Sequence, residues 1–175
     1  MSKLRNAFAL AAIVTASAVW GAATPLSARD VRYIATHGDW SSFQAADAGG
    51  TVCYAASRPT ELRPTNVRHG DIYLLVTDRP AENSSDVVSL VAGYAYKTGS
   101  EVTAIIGDQR FRMFTKGDTA WSISTRMDHA LVAAMKAGAT MLVKAVSARG
   151  TKTAYTFSLA GVTAALRDVD TACDA

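Results

Sequence analysis

Three histidines, His37, His69 and His129, and two cysteines, Cys53 and Cys173, are the side chains of this sequence best suited to nucleophilic, acid–base or metal chemistry. A hydrolytic triad needs a nucleophile within hydrogen-bond reach of an oriented base, and none of the histidines sits in a Gly-x-Ser-x-Gly elbow. A metal centre asks for His, Cys or paired carboxylates at ligand spacing, which no segment offers. Gly-rich phosphate loops are absent as well. The histidines therefore read as surface or capping residues, and the expectation is a protein that is not an enzyme and carries no metal or cofactor.

Guanidinium groups are more distinctive. Arg58-Pro59, Arg63-Pro64 and Arg68 crowd one stretch, and Arg79-Pro80 follows. Proline restricts the backbone, so these segments read as stiff, extended loops holding arginines where they can grip carboxylates or phosphates bidentately. Arg58, Arg63, Arg68 and Arg79 are the candidate partner-binding residues; solvated arginines on restrained loops are the plainer alternative. Trp40 and Trp121, in strand-like surroundings, read as core filling rather than a ligand platform.

Strands must position these groups. Ile72 to Thr77, Val87 to Ala92, Val102 to Ile106 and Gln109 to Phe114 are short apolar or alternating runs, the last two joined by Gly107-Asp108, and together they suggest an antiparallel meander. Thr140 to Ser147 and Thr151 to Phe157 form a second hairpin, with Thr153, Tyr155 and Phe157 on one face. Gly38 to Ala45 and Thr51 to Ala56 flank Gly49-Gly50 and suggest a third pair. One helix is expected near Met127 to Ala137, capped by Thr125 and Asp128 and ended by Gly138. Another runs from about Leu159 into the tail, with Leu159, Val162, Leu166, Val169 and Cys173 along one stripe.

The first residues are a separate matter. Lys3 and Arg5 precede an uncharged, mostly apolar run from Ala7 to Trp20, the layout of a secretory signal peptide over residues 1–28, cut after Ala28 or alternatively after Ala23. An uncleaved anchor competes with this, but the run falls short of the ~20 residues a spanning helix needs. Of 18 basic residues, Lys3 and Arg5 leave with the leader, so the remaining domain, residues 29–175, carries 16 against 15 acidic ones. That balance supplies no electrostatic case for nucleic acid, and no later apolar stretch is long enough to span a membrane. Both cysteines lie in the exported part, where thiols oxidise, so a Cys53–Cys173 disulfide is expected, with two separate buried thiols as the alternative.

Taken in order and spacing, several stretches resemble one family, the invasion-associated locus B proteins of alphaproteobacteria. They are Gly38-Asp39-Trp40, Cys53 to Pro59, Tyr73 to Pro80, Gly93-Tyr94, Phe111 to Phe114, Gly117-Asp118 before Ala120-Trp121, Leu131 to Gly138, Ser147 to Thr151, Tyr155 to Gly161, and Cys173. The resemblance implies an exported, immunoglobulin-like antiparallel β-sandwich with two short helices. It also implies no known catalytic activity, and a link in some pathogenic members to host-cell entry. Many members carry a cysteine a few residues after the tryptophan, whereas Trp40 is followed here by Ser41, Ser42, Phe43 and Gln44. The function so implied is that of a non-catalytic envelope protein, periplasmic, outer-membrane-associated or secreted, that binds a protein or other envelope component. The alternative is a small periplasmic hydrolase or ligand carrier with a pocket the sequence does not reveal.

Overall fold

The computed structural model describes residues 31–174, so the leader reading lies outside the described residues. The chain forms strands β1 (Arg32–His37), β2 (Trp40–Asp47), β3 (Gly50–Ser57), β4 (Glu61–Arg63), β5 (Tyr73–Arg79) and β6 (Ser84–Val91). It continues through β7 (Glu101–Ile106), β8 (Gln109–Lys116), β9 (Thr119–Ser122), helix α1 (Thr125–Ala137), β10 (Thr140–Val146), β11 (Lys152–Ser158) and helix α2 (Val162–Cys173). The strands make one continuous antiparallel sheet in the order β1-β2-β3-β5-β6-β9-β8-β7-β10-β11-β4.

Although β2 and β11 stand far apart in that order, they touch. The indole N–H of Trp40 donates to the Ser158 carbonyl at 3.0 Å, and the Asp39 N–H donates to the Ala160 carbonyl at 3.1 Å. The sheet therefore curls over itself, and its two halves enclose one core as the layers of a mainly β, sandwich-like fold do. Trp40, Leu74 and Leu90 enter that core from the first half, Met113, Val143, Tyr155 and Phe157 from the second. The strand ladder passes from one half to the other where Ser89, Leu90 and Val91 of β6 pair with Trp121, Ala120 and Thr119 of β9.

That junction corrects the expected meander. β9 enters between β6 and β8, and β7 pairs instead with β10. Four residues, Thr119 to Ser122, give too little alternation to announce a strand in sequence. The β10–β11 hairpin follows its pattern, with Thr153, Tyr155 and Phe157 all buried. Between β7 and β8 the tight turn is closed by Gly107 at φ +55°, a conformation that costs glycine little.

Each helix seals one region. The stripe Val162, Ala165, Leu166 and Val169 buries α2 against the inner faces of β2 and β3. Gly161 makes this approach possible: it sits at φ +95°, and a Cβ there would strike the His37 carbonyl. On α1 the cap is Ser124, not Thr125, its hydroxyl accepting the Met127 N–H at 3.4 Å. Asp128 does not close a reciprocal cap either. Buried at the helix start, it accepts the Val88 N–H at 2.9 Å, just where β9 pairing with β6 stops at Ser89.

Cys53, inward on β3, bonds to Cys173 at the end of α2 with their Cα atoms 5.8 Å apart. The bridge closes a loop of 120 residues in sequence separation, which restricts the unfolded chain by about 4 to 5 kcal/mol in the chain-entropy model. A Cys53→Ala/Cys173→Ala double variant is expected to lose about 4 kcal/mol in urea denaturation. An unchanged midpoint, in the variant or in reduced wild-type protein, would show that the bridge adds nothing to stability.

Candidate functional site

The clearest candidate surface follows from strand parity. Trp40 and Ser42 on β2, and Cys53 and Ala55 on β3, point into the core, so Ser41, Phe43 and Tyr54 must point out. Registers bring Tyr33 opposite Phe43, and Phe43 opposite Tyr54. The Tyr33 and Phe43 rings meet edge-on with centroids 5.8 Å apart, and Phe43 stacks on Tyr54 at 5.1 Å. Tyr33 is 57% exposed, and burial among its neighbours pushes the Tyr54 phenol pKa up. An open sheet face is normally polar; this one is aromatic.

At the edge of this row, Arg58 lies over the Tyr73 ring, 4.6 Å from its centroid, donates to the Tyr73 hydroxyl and sits 3.5 Å from Asp71. Phe43, Tyr54, Leu75, Tyr73, Arg58 and Asp39 line a shallow depression of about 470 Å³. A neighbouring outward row, Ser41, Ala56, Leu75 and Ser89, runs in register across to Trp121 on β9 and Phe114 on β8. Trp121 stacks on the exposed Phe114 at 5.6 Å. Trp40 is core, as its surroundings suggested; Trp121 is not, and belongs to the outer face.

The four candidate arginines do not converge. The stretch from Arg58 to Arg68 is not one extended loop, because its middle forms β4 on the edge of β11, where Arg63 faces Ala154. Arg58 borders the aromatic depression, Arg63 a groove of about 700 Å³, and Arg68 a third cavity of about 890 Å³ shared with His69, Tyr94 and Arg149. Arg79 stands at the far end of β5 from Tyr73, about 20 Å along the strand. There it pairs with Asp47 at 2.6 Å and Glu82 at 3.7 Å.

Each histidine is tied into the scaffold. His37 Nε2 bonds Asp168 Oδ2 at 2.8 Å, and the buried Ser42 hydroxyl donates to that same oxygen at 2.8 Å. Serine and histidine thus share a carboxylate rather than bonding each other, so the three do not form the nucleophile–histidine–carboxylate chain of a hydrolytic triad. His69 Nε2 donates to the Pro64 carbonyl at 2.7 Å, while its Nδ1 lies 3.2 Å from the Tyr155 hydroxyl, itself 2.9 Å from that of Tyr94. His129 pairs with Asp86 at 3.0 Å. Among the described residues no three His, Cys, Asp or Glu side chains gather as a metal site, and no helix is long and apolar enough to cross a membrane.

A family model described as "Invasion associated locus B (IalB) protein" matches residues 40–170. No curated protein and no solved structure matches the chain. The match begins at Trp40, the residue that closes the sheet onto β11, and ends inside α2.

One titratable cluster lies away from these surfaces, beside the disulfide. Burial, and then the charges of Asp86, Asp170 and Asp174, push the Asp78 carboxyl up, although it accepts the Asp86 N–H at 2.7 Å. A carboxyl raised in the folded state favours folding most when protonated, below its unfolded value of about 4, and that contribution is lost as pH rises through the folded pKa. Asp78→Asn keeps an oxygen acceptor and removes the charge. Its melting temperature should exceed that of the wild type at pH 7, and the gain should vanish as pH falls toward about 4. A gain independent of pH, or a loss at pH 7, would contradict this account.

Proposed function

Because this chain belongs to the invasion-associated locus B family, we propose that it is an exported, non-catalytic envelope protein that acts by binding another macromolecule through its aromatic outer face. The observation that carries the reading is the outward row of Tyr33, Phe43 and Tyr54, bordered by Arg58 on Tyr73. These rings face away from the core, so packing does not require them there. Exposed apolar patches of this kind mark interaction sites, and aromatic residues with arginine are the side chains that interface centres favour. A protein partner suits this surface, because a second sheet or loop can cover the stacked rings while a carboxylate meets Arg58.

Export is supported by the basic-then-apolar leader and by the disulfide, since paired thiols belong to oxidising compartments. The reading places the folded domain in the periplasm, on the outer membrane or outside the cell. A non-catalytic role is supported by the histidines, each of which bonds to a scaffold group through at least one ring nitrogen. In a host-associated cell, host-cell invasion would be served by presenting this same face.

A photo-crosslinking residue placed at Phe43 in intact cells is expected to give a discrete adduct with one envelope protein, and Tyr54→Asp in the same chain should abolish it. The same crosslinker at Arg167, on the exposed side of α2, should give none. Equal adducts from both positions, or a chain retained in the cytosol with residues 1–28 attached, would overturn the reading.

A further inference from the structure

The near-neutral charge of residues 29–175 hides a segregation that only the strand registers reveal. In the second half of the sheet, Met141, Val143 and Ala145 on β10, and Thr153, Tyr155 and Phe157 on β11, point inward. Lys144 and Lys152 therefore point outward. Arg63 on β4 stands opposite Ala154 on β11, Ala154 opposite Lys144 on β10, Lys144 opposite Thr103 on β7, and Thr103 opposite Arg112 on β8. Three cations thus occupy alternate strands of one straight row. With strands about 4.8 Å apart, neighbouring charges are about 10 Å apart and the row spans about 19 Å.

Lys152 and Arg110 flank the row on the same face, and all five cations are exposed. Glu101 pairs with Arg112 at 2.6 Å, and Glu61 lies at the β4 edge. Arg63, Lys144, Lys152 and Arg110 have no ion-pair partner among the described residues. Arg63, Lys144 and Lys152 border the groove of about 700 Å³, which is lined also by the neutral polar side chains Thr65, Asn66 and Thr103 and by Glu101, the carboxylate already paired with Arg112.

We propose that this face binds an anionic polysaccharide, a chain bearing carboxylates or phosphates, laid along Arg63, Lys144 and Arg112. The length of the row calls for a polymer, because one small anion meets only one of its charges. Thr65, Asn66 and Thr103 offer hydrogen-bond partners to sugar hydroxyls between the charged points. The residues separating the cations are Ala154 and Thr103, so no aromatic ring stands between them to stack a base, as single-stranded nucleic acid would require. The concave wall made by the residues after Arg63 suits a chain in a groove better than a flat bilayer. This surface lies on the opposite half of the sheet from the Tyr33–Tyr54 row, and its occupant is independent of the partner proposed there.

The test uses the full folded domain with its disulfide intact and heparin as the polyanionic glycan, with dextran as the neutral one. Heparin should bind with an affinity that falls steeply as salt rises, and dextran should not bind. Arg63→Glu/Lys144→Glu should weaken heparin binding at least about tenfold, with an unchanged melting temperature, whereas Arg167→Glu on α2 should not. If the double charge reversal unfolds the protein, Lys144→Ala/Lys152→Ala takes its place and should weaken binding at least threefold, about 0.7 kcal/mol. Poly-dT, polyglutamate and phosphatidylglycerol vesicles serve as the competing polyanions. Unaltered heparin affinity in the folded variants, or tighter binding of any of those three than of heparin, would overturn the proposal.

Discussion

Much of this structure depends on how closely α2 lies against the inner faces of β2 and β3. Those faces present small side chains, Ser42, Cys53 and Ala55, each fully buried, and α2 answers with Ala165 and Ala172. Small side chains on both sides let the helix approach, and every tie across the contact uses that proximity. The Cys53–Cys173 bridge spans it, Ser42 reaches Asp168, and the Gln44 side-chain amide donates to the Ala172 carbonyl at 2.7 Å. Gly161 then lets the helix begin against the His37 carbonyl. With the inner side so shallow, bulk at these strand positions lies outside: Phe43 and Tyr54 occupy outward places beside the small inward residues.

Where a single pattern governed a segment, the sequence made it legible. The β10–β11 hairpin alternates strictly, and the stripe of α2 is interrupted by few residues, so both were readable down to the inward side chains. β1, β4 and β9 were not. β4 and β9 have three and four residues, and β1 carries no buried residue to set its parity. The cap of α1 was displaced by one residue because Ser124 and Thr125 offer the same hydroxyl chemistry, and Asp128 was claimed by a strand N–H that no local pattern reveals.

Of the candidate sites, the disulfide was legible from compartment and count alone. The aromatic face was less so: β2 carries Trp40 inward and Phe43 outward, three residues apart and hence of opposite parity, so an aromatic count cannot separate core from surface. The cationic row was invisible for a deeper reason. Arg63, Arg112 and Lys144 are widely separated along the chain, and they align only because the order β4-β11-β10-β7-β8 and its registers place them so. Charge balance reports a sum over the molecule, whereas binding depends on where the charges stand.

Two outward rows meet at β8, where Phe114 ends the one that runs from Ser41 through Trp121 and Arg112, two residues earlier, ends the cationic one. Glu101 lies opposite Phe114 and chelates Arg112 through both carboxylate oxygens, at 2.8 and 2.6 Å. The pair is exposed, with 69% of the arginine and 48% of the glutamate side chain open to solvent, and exposed pairs contribute at most about 1 kcal/mol. Arg112 is therefore held in place without being strongly committed. A phosphate or carboxylate arriving along the row can replace Glu101 as its bidentate partner at little cost, while Glu101 returns to water. Arg63, Lys144 and Lys152 need no such exchange, so the charges that are unpaired set the initial attraction and Arg112 completes the contact at the far end.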